Sequence, residues 1–249
     1  MAVSIKSEAE IQIMAEGGKI LATVLKKVAE MVKPGITTLE LDRLAESLIL
    51  AEGAKPAFKG YLGFPYSLCA SVNEIVVHGF PDNTPLKNGD IVGLDLGVLW
   101  KGYNTDMAVT VAVGQISFEA KRLIDVTKKS LRLGLKKVRA GVMTGDLGNT
   151  IQRFVEDQGF GVVRTLYGHG IGKQVHEDPY VPNYGKRATG DILKEGMVIC
   201  IEPMVTMGDH EVKKVIDGWG IATRDGSLTA HFEHTVAITR DGCRVLTQA

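Results

Sequence analysis

Cysteine, net charge and long apolar runs are all scarce in this 249-residue chain. Its three cysteines, Cys69, Cys200 and Cys243, are an odd number with no CxxC spacing. That argues against a disulfide framework and for a reducing compartment. Basic and acidic residues balance at 29 each, so no overall field draws the protein to nucleic acid or to a membrane surface. Pairs such as Lys26-Lys27 and Lys136-Lys137 read as solvated helix faces. No apolar run reaches membrane-spanning length, and the opening "MAVSIKSEAEIQIM" has no signal-peptide core. The expectation is a cytoplasmic protein without membrane or direct nucleic-acid contacts. Several catalytic signatures are also missing: no GxSxG elbow, no Walker A loop and no HExxH helix. "GHGIGK" lacks the GxGxxG spacing of a dinucleotide loop.

What remains is ordinary globular material, 45% apolar and 23% charged, in a length that builds a substantial core. The chain starts almost directly on its first helix, so no accessory N-terminal domain is expected. It reads as a single domain over 1–249 whose halves repeat, approximately 34–114 and 140–240. "LKNGDIVGLD" (86–95) lines up with "LKEGMVICIE" (193–202), each an apolar run ending in a carboxylate. "PGITTLELDRLAESLILAEG" (34–53) matches "AGVMTGDLGNTIQRFVEDQG" (140–159), both patterned as an amphipathic helix with Thr at the start and Gly at the close. "VHGFP" (77–81) sets against "VHEDP" (175–179), pairing His78 with His176. After each LKxG run a carboxylate leads into β-branched residues, "DMAVTVAVG" from 106 and "EHTVAIT" from 233. Two related halves, each of helices followed by antiparallel strands and sharing one sheet, would bring equivalent side chains to a common centre.

At that centre stand Asp95 and Asp106 from one half, Glu202 and Glu233 from the other. A lone charge ending a buried strand is costly unless paired or metal-bound, and four converging carboxylates repel one another. A cation removes the conflict. The stretch "YGHGIGKQVHED" (167–178) offers a nitrogen in His169, and its glycines favour an irregular segment, or two short strands with a break, where the backbone can approach something closely. Two Asp, two Glu and one His form a hard, oxygen-rich set suited to Mn, Fe, Co or Zn. They exceed the needs of one catalytic zinc and fit two ions.

At these residues the sequence resembles the short bacterial methionine aminopeptidases of the pita-bread metallopeptidase family. "NEIVVHGFP", "DLG" followed by Asp106, "YGHGIG", "VHEDP", "EPM" and "HFEHT" occur in that order over essentially the whole chain. The resemblance implies an α+β pita-bread fold, two pseudo-twofold-related halves with helices packed on a curved antiparallel β-sheet. It implies removal of an initiator methionine when the second residue is small, by a hydroxide that two divalent ions activate against the first peptide bond. Asp95 would hold one ion, His169 and Glu202 the other, with Asp106 and Glu233 bridging. His176 would polarise the scissile carbonyl, His78 would contact substrate near it, and Glu202 would also carry the proton from water to the leaving amine. Tyr61, Phe64, Cys69 and Trp219 would line the methionine pocket, with His78 at its edge. Asn73, Ile75 and Thr229 match positions for a monovalent cation. Nascent N-termini would be the partners, met in transient contact with the ribosome by a monomer. The sequence's own start, Met1-Ala2, has the small second residue such an activity accepts.

Two departures carry expectations. Val175 stands where many relatives have a bulky aromatic, which predicts a looser preference at the second residue. Asn104 and Thr105 replace a common His-Gly, so the support around Asp106 should differ. The rivals are a prolidase or aminopeptidase P, which usually carry an extra N-terminal domain, and a binding module that has lost its metals; the complete ligand set argues against the latter.

Overall fold

The computed structural model describes residues 3–249, so the Met1-Ala2 start lies outside the described residues. Four long helices supply the outer layer: α1 (Glu8–Glu30), α2 (Thr38–Ala51), α3 (Phe118–Lys137) and α4 (Thr144–Asp157). Ser7 and Thr37 begin the first two in full capping boxes, each side-chain oxygen accepting from the N3 amide while Glu10 or Glu40 reaches back. The second half departs locally. Met143, with no side-chain hydrogen bond of its own, takes the cap position that Thr37 holds. Thr144 instead accepts from the Asp191 amide, as Thr38 accepts from that of Asp82.

The repeat extends to single hydrogen bonds. Isolated bridges join Thr37 to Pro85 and Met143 to Ile192. The Gly35 amide donates to Leu86 and that of Gly141 to Leu193, both at 2.8 Å. The amides of Leu86 and Leu193 answer on Ile36 and Val142.

Every strand pairing among the described residues is antiparallel. The strands Ile91–Trp100 and Tyr103–Ala112 form the long hairpin of the first half. Val198–Ile201 and His234–Ile238 are their shorter counterparts. The hydrogen-bonded ladders of the curved sheet fall into four segments. What joins the halves is a seam in which threonine side chains replace part of the ladder. Thr235 Oγ1 lies between the Asp106 amide and carbonyl at 2.9 and 2.8 Å. The Glu233 amide donates to Ala108, and Thr110 Oγ1 bonds both backbone groups of His231.

Each half has its own core beneath its helices. Leu21, Leu25, Leu41 and Ile49 pack on Leu94 and Leu96 in the first; Leu123, Leu147 and Ile151 pack on Ile199 and Ile201 in the second. Each such side chain stabilises by about 1.5–3 kcal/mol on burial. The helices hold the sheets from outside, leaving the seam's other face for the polar centre.

Candidate metal centre and active site

Period-two alternation places the first two carboxylates. Asp106 pairs with Gly97 across the hairpin, two residues from Asp95. Asp95 and Asp106 are therefore diagonal neighbours on one face, and they share a hydrogen bond. Glu202 follows the strand Val198–Ile201, and Glu233 follows Thr229–His231 at the seam. His169 sits on Gly168–Gly170, paired with Glu177–Val181. The predicted pair of short strands with a break is what the histidine stretch forms. Its glycines are required: a Cβ on Gly168 would run into the Cys200 carbonyl, and one on Gly170 into that of Asp178.

Ligand atoms of Asp106, His169, Cys200 and Glu233 all lie within 4.8 Å of one another, and so do those of Glu202, His231 and Glu233. His169 Nε2 faces Glu202 Oε1 at 3.6 Å. Its Nδ1 is 2.9 Å from the Gly170 carbonyl; donation there fixes the tautomer and leaves the Nε2 lone pair aimed at the carboxylates.

Burial pushes the Asp95 carboxyl up to about 7 against the lowering effect of its bond to Asp106. Burial, then mutual repulsion, holds Asp106, Glu202 and Glu233 well above the usual carboxylate range. Burial likewise pushes His169 and His231 down to about 3 and His78 to about 4, so the imidazoles are neutral. The Cys200 thiol is pushed up by burial and the surrounding carboxylates, so it remains protonated beside Thr235 Oγ1.

Asp95 Oδ1, Asp106 Oδ1, Glu233 Oε1 and His231 Nε2 are buried without a hydrogen-bond partner. Such orphaned groups each cost about 1–3 kcal/mol. Here they point into one cluster of acids and neutral imidazoles, a donor set that fits divalent cations.

Next to the cluster an apolar cavity of about 160 Å³ is lined by Tyr61, Phe64, Cys69 and Trp219, as anticipated, and also by Phe58 and Leu62. Phe64 and Trp219 meet edge to face at 5.2 Å. His78 holds a left-handed backbone, φ 59°, a strained conformation for a non-glycine residue. His176 stacks obliquely on His169 at 4.2 Å, and its Nδ1 lies 3.0 Å from the Tyr61 hydroxyl. A second cleft, lined by His78, Tyr167, His176, Tyr180 and Met204, opens from the same histidines.

All eleven sequence-predicted site residues therefore gather in one place. Beside Cys200, the buried member of the cluster absent from the residues expected there is His231. It lies two positions before Glu233 in "HFEHT", and strand alternation alone would have put both on one face. Asn73 and Thr229 also meet, the Thr229 amide donating to the Asn73 carbonyl, while Ile75 lies on a neighbouring strand paired with Ala222. The departure at Asn104 has a specific consequence: its side chain grips the Gly172 and Lys173 carbonyls at 3.1 Å, holding the loop between His169 and His176.

Residues 12–240 match metallopeptidase family M24. The chain belongs to that family. It is accordingly a metal-dependent hydrolase with the pita-bread fold. Among M24 relatives, a methionine aminopeptidase of Clostridium perfringens (strain 13 / Type A) is 51% identical, over 98% of each chain. Methionine aminopeptidase 1 of Bacillus subtilis (strain 168) is 46% identical, again over 98% of each. The crystal structure of a methionine aminopeptidase from Thermotoga maritima superposes with a TM-score of 0.98 at 43% identity, covering 99% of this chain and all of that one. No helix among the described residues is long and apolar enough to cross a membrane.

Proposed function

We propose that the chain removes the N-terminal methionine from peptides and nascent proteins whose second residue is small. It acts as one catalytic unit over 1–249 with an internal repeat. Asp95, Asp106, His169, Glu202 and Glu233 hold two divalent ions, of Co, Mn, Fe or Zn. When bound, these ions neutralise the acids, polarise the peptide carbonyl and supply a water acidic enough to attack it near neutral pH. The observation behind this reading is the apolar cavity whose lining includes the cluster's orphaned carboxylate oxygens. A side chain with the length and softness of methionine fills it, with sulfur–aromatic contacts to Phe64 and Trp219. The free α-amine of that residue would bind at the metal centre, which confines the reaction to the first peptide bond.

The chain's own residues then divide the work. Tyr61 donates to His176 Nδ1, which leaves Nε2–H free to donate to the carbonyl oxygen as it gains charge. His78, between cavity and cleft, holds the substrate backbone. Glu202, whose hold on a proton is raised well above that of an ordinary carboxylate by burial and by Asp106 and Asp95, carries it to the leaving amine. The polypeptide beyond the first residue leaves along the cleft past Tyr167 and Tyr180. The enzyme works as a cytoplasmic monomer in transient contact with the ribosome, with a monovalent cation at Asn73, Ile75 and Thr229.

Methionine release from Met-Ala-Ser and Met-Lys-Ser, with Mn²⁺, Co²⁺ or Fe²⁺ and an Asp106→Ala variant, tests the core of this reading. Release from the first peptide only, abolished in the variant, is expected. No release by folded, metal-loaded protein would direct the ligand set to another substrate.

A further inference from the structure

Glu202 presents one oxygen to each of two imidazoles. Its Oε1 is 3.6 Å from His169 Nε2, and its Oε2 is 3.6 Å from His231 Nε2. His231 Nε2 is also 3.8 Å from Glu233 Oε2. These separations are too long for hydrogen bonds, whose N···O distances run about 2.7–3.2 Å. They approach the edge between two ligands of one ion, about 3.4 Å for tetrahedral bonds of about 2.0–2.1 Å.

The imidazole has no other evident use. It is 3% exposed, its Nε2 has no hydrogen-bond partner, and Thr110 fixes its backbone at both the amide and the carbonyl. His231 ends the strand Thr229–His231 and Glu233 follows two residues on, and their ligand atoms meet that of Glu202 within 4.8 Å of one another. A buried nitrogen facing two carboxylates without touching either is positioned as a ligand, not as a donor.

We propose that His231 is a second imidazole ligand of the centre, binding the ion held by Glu202 and Glu233. The inference rests on the divalent-metal reading above and adds one nitrogen to its ligand set. A second neutral nitrogen adds a donor without adding charge and moves the site's preference toward softer borderline ions such as Fe²⁺, Co²⁺ or Zn²⁺.

The test uses full-length protein stripped with chelator and reloaded anaerobically with Co²⁺. X-ray absorption counts imidazoles per bound cobalt, and calorimetry gives the affinity, for wild type, His231→Gln and His231→Leu. Near-UV circular dichroism of the metal-free forms verifies the fold, and His231→Asn replaces any variant that fails to fold. The expected result is that imidazoles per cobalt fall by half, with affinity for the Glu202-side ion weakened at least about 10-fold. An unchanged imidazole count overturns the proposal even if affinity falls, because a merely positioning residue would lower affinity alone. Wild-type protein that binds no divalent ion overturns both this proposal and the metal assignment. Normal cobalt binding with the predicted imidazole loss, but no methionine release, supports His231 as a ligand while removing the proposed substrate.

Discussion

The Tyr61 hydroxyl and His176 Nδ1 lie 3.0 Å apart, 115 residues distant in sequence. The contact links the wall of the apolar cavity to the imidazole that faces the cleft. With the hydroxyl as donor, the ring's remaining proton is on Nε2. Tyr61→Phe removes that enforcement while keeping the wall's shape. Its kcat should fall about 3- to 10-fold, the worth of one net hydrogen bond, with KM for Met-Ala-Ser nearly unchanged. Steady-state kinetics check this, and a rise in KM alone would assign Tyr61 to binding instead.

Lys6 and Glu177 form an ion pair at 2.8 Å with side chains only 3% and 14% exposed. Glu177 Oε1 also accepts from the Gln174 amide, which closes the turn carrying His176. Lys6→Met leaves Glu177 largely buried and unpaired, and should cost about 3 kcal/mol. Adding Glu177→Leu should restore most of that stability in urea melts. An additive loss in the double variant would contradict the pairing.

Gly170 has no room for a side chain, since a Cβ would meet the carbonyls of Asp178 and Glu177. Gly170→Ala must part the strands on either side of His169. Overpacking of this kind costs about 1–3 kcal/mol. Calorimetric Co²⁺ affinity should fall along with the melting temperature; unchanged affinity would mean that His169 is held by other contacts.

Stability of the metal-free protein should fall as pH rises above about 6.5. Asp95, pushed up to about 7, and the likewise raised Asp106, Glu202 and Glu233 keep protons in the fold that the unfolded chain has lost. A raised folded pKa stabilises below the unfolded value and is lost as pH climbs through the folded one. The buried histidines act oppositely, since their folded pKa values are depressed. Their stabilisation disappears as pH falls below about 6.5 and is complete above it. Melting temperatures in chelator should decline as pH rises from 6.5 through about 7, and saturating Mn²⁺ should remove the decline by replacing protons with a cation. A flat metal-free profile would contradict the burial of these acids.

The elements legible from sequence were those set by local chemistry and periodicity. The helix starts at Ser7 and Thr37 follow from capping boxes, and Asp95 and Glu202 stand out because each ends an apolar strand run. The repeat was legible because the same backbone turns demand the same residues twice, as at Gly35 and Gly141. Alternation also contained His231, two residues before Glu233, although the sequence reading did not use it.

Other relationships came only with tertiary structure. Nothing local predicts that Glu202 divides its oxygens between His169 and His231, that Lys6 reaches Glu177, or that Asn104 grips the loop between His169 and His176. Nor did the pattern foresee ladders in four segments joined by threonine hydroxyls. Side-chain period decides which face of a strand a residue occupies. The twist of each strand and the angle at which the halves meet decide which faces converge. Those depend on how two separate cores pack, and no short stretch of sequence contains that information.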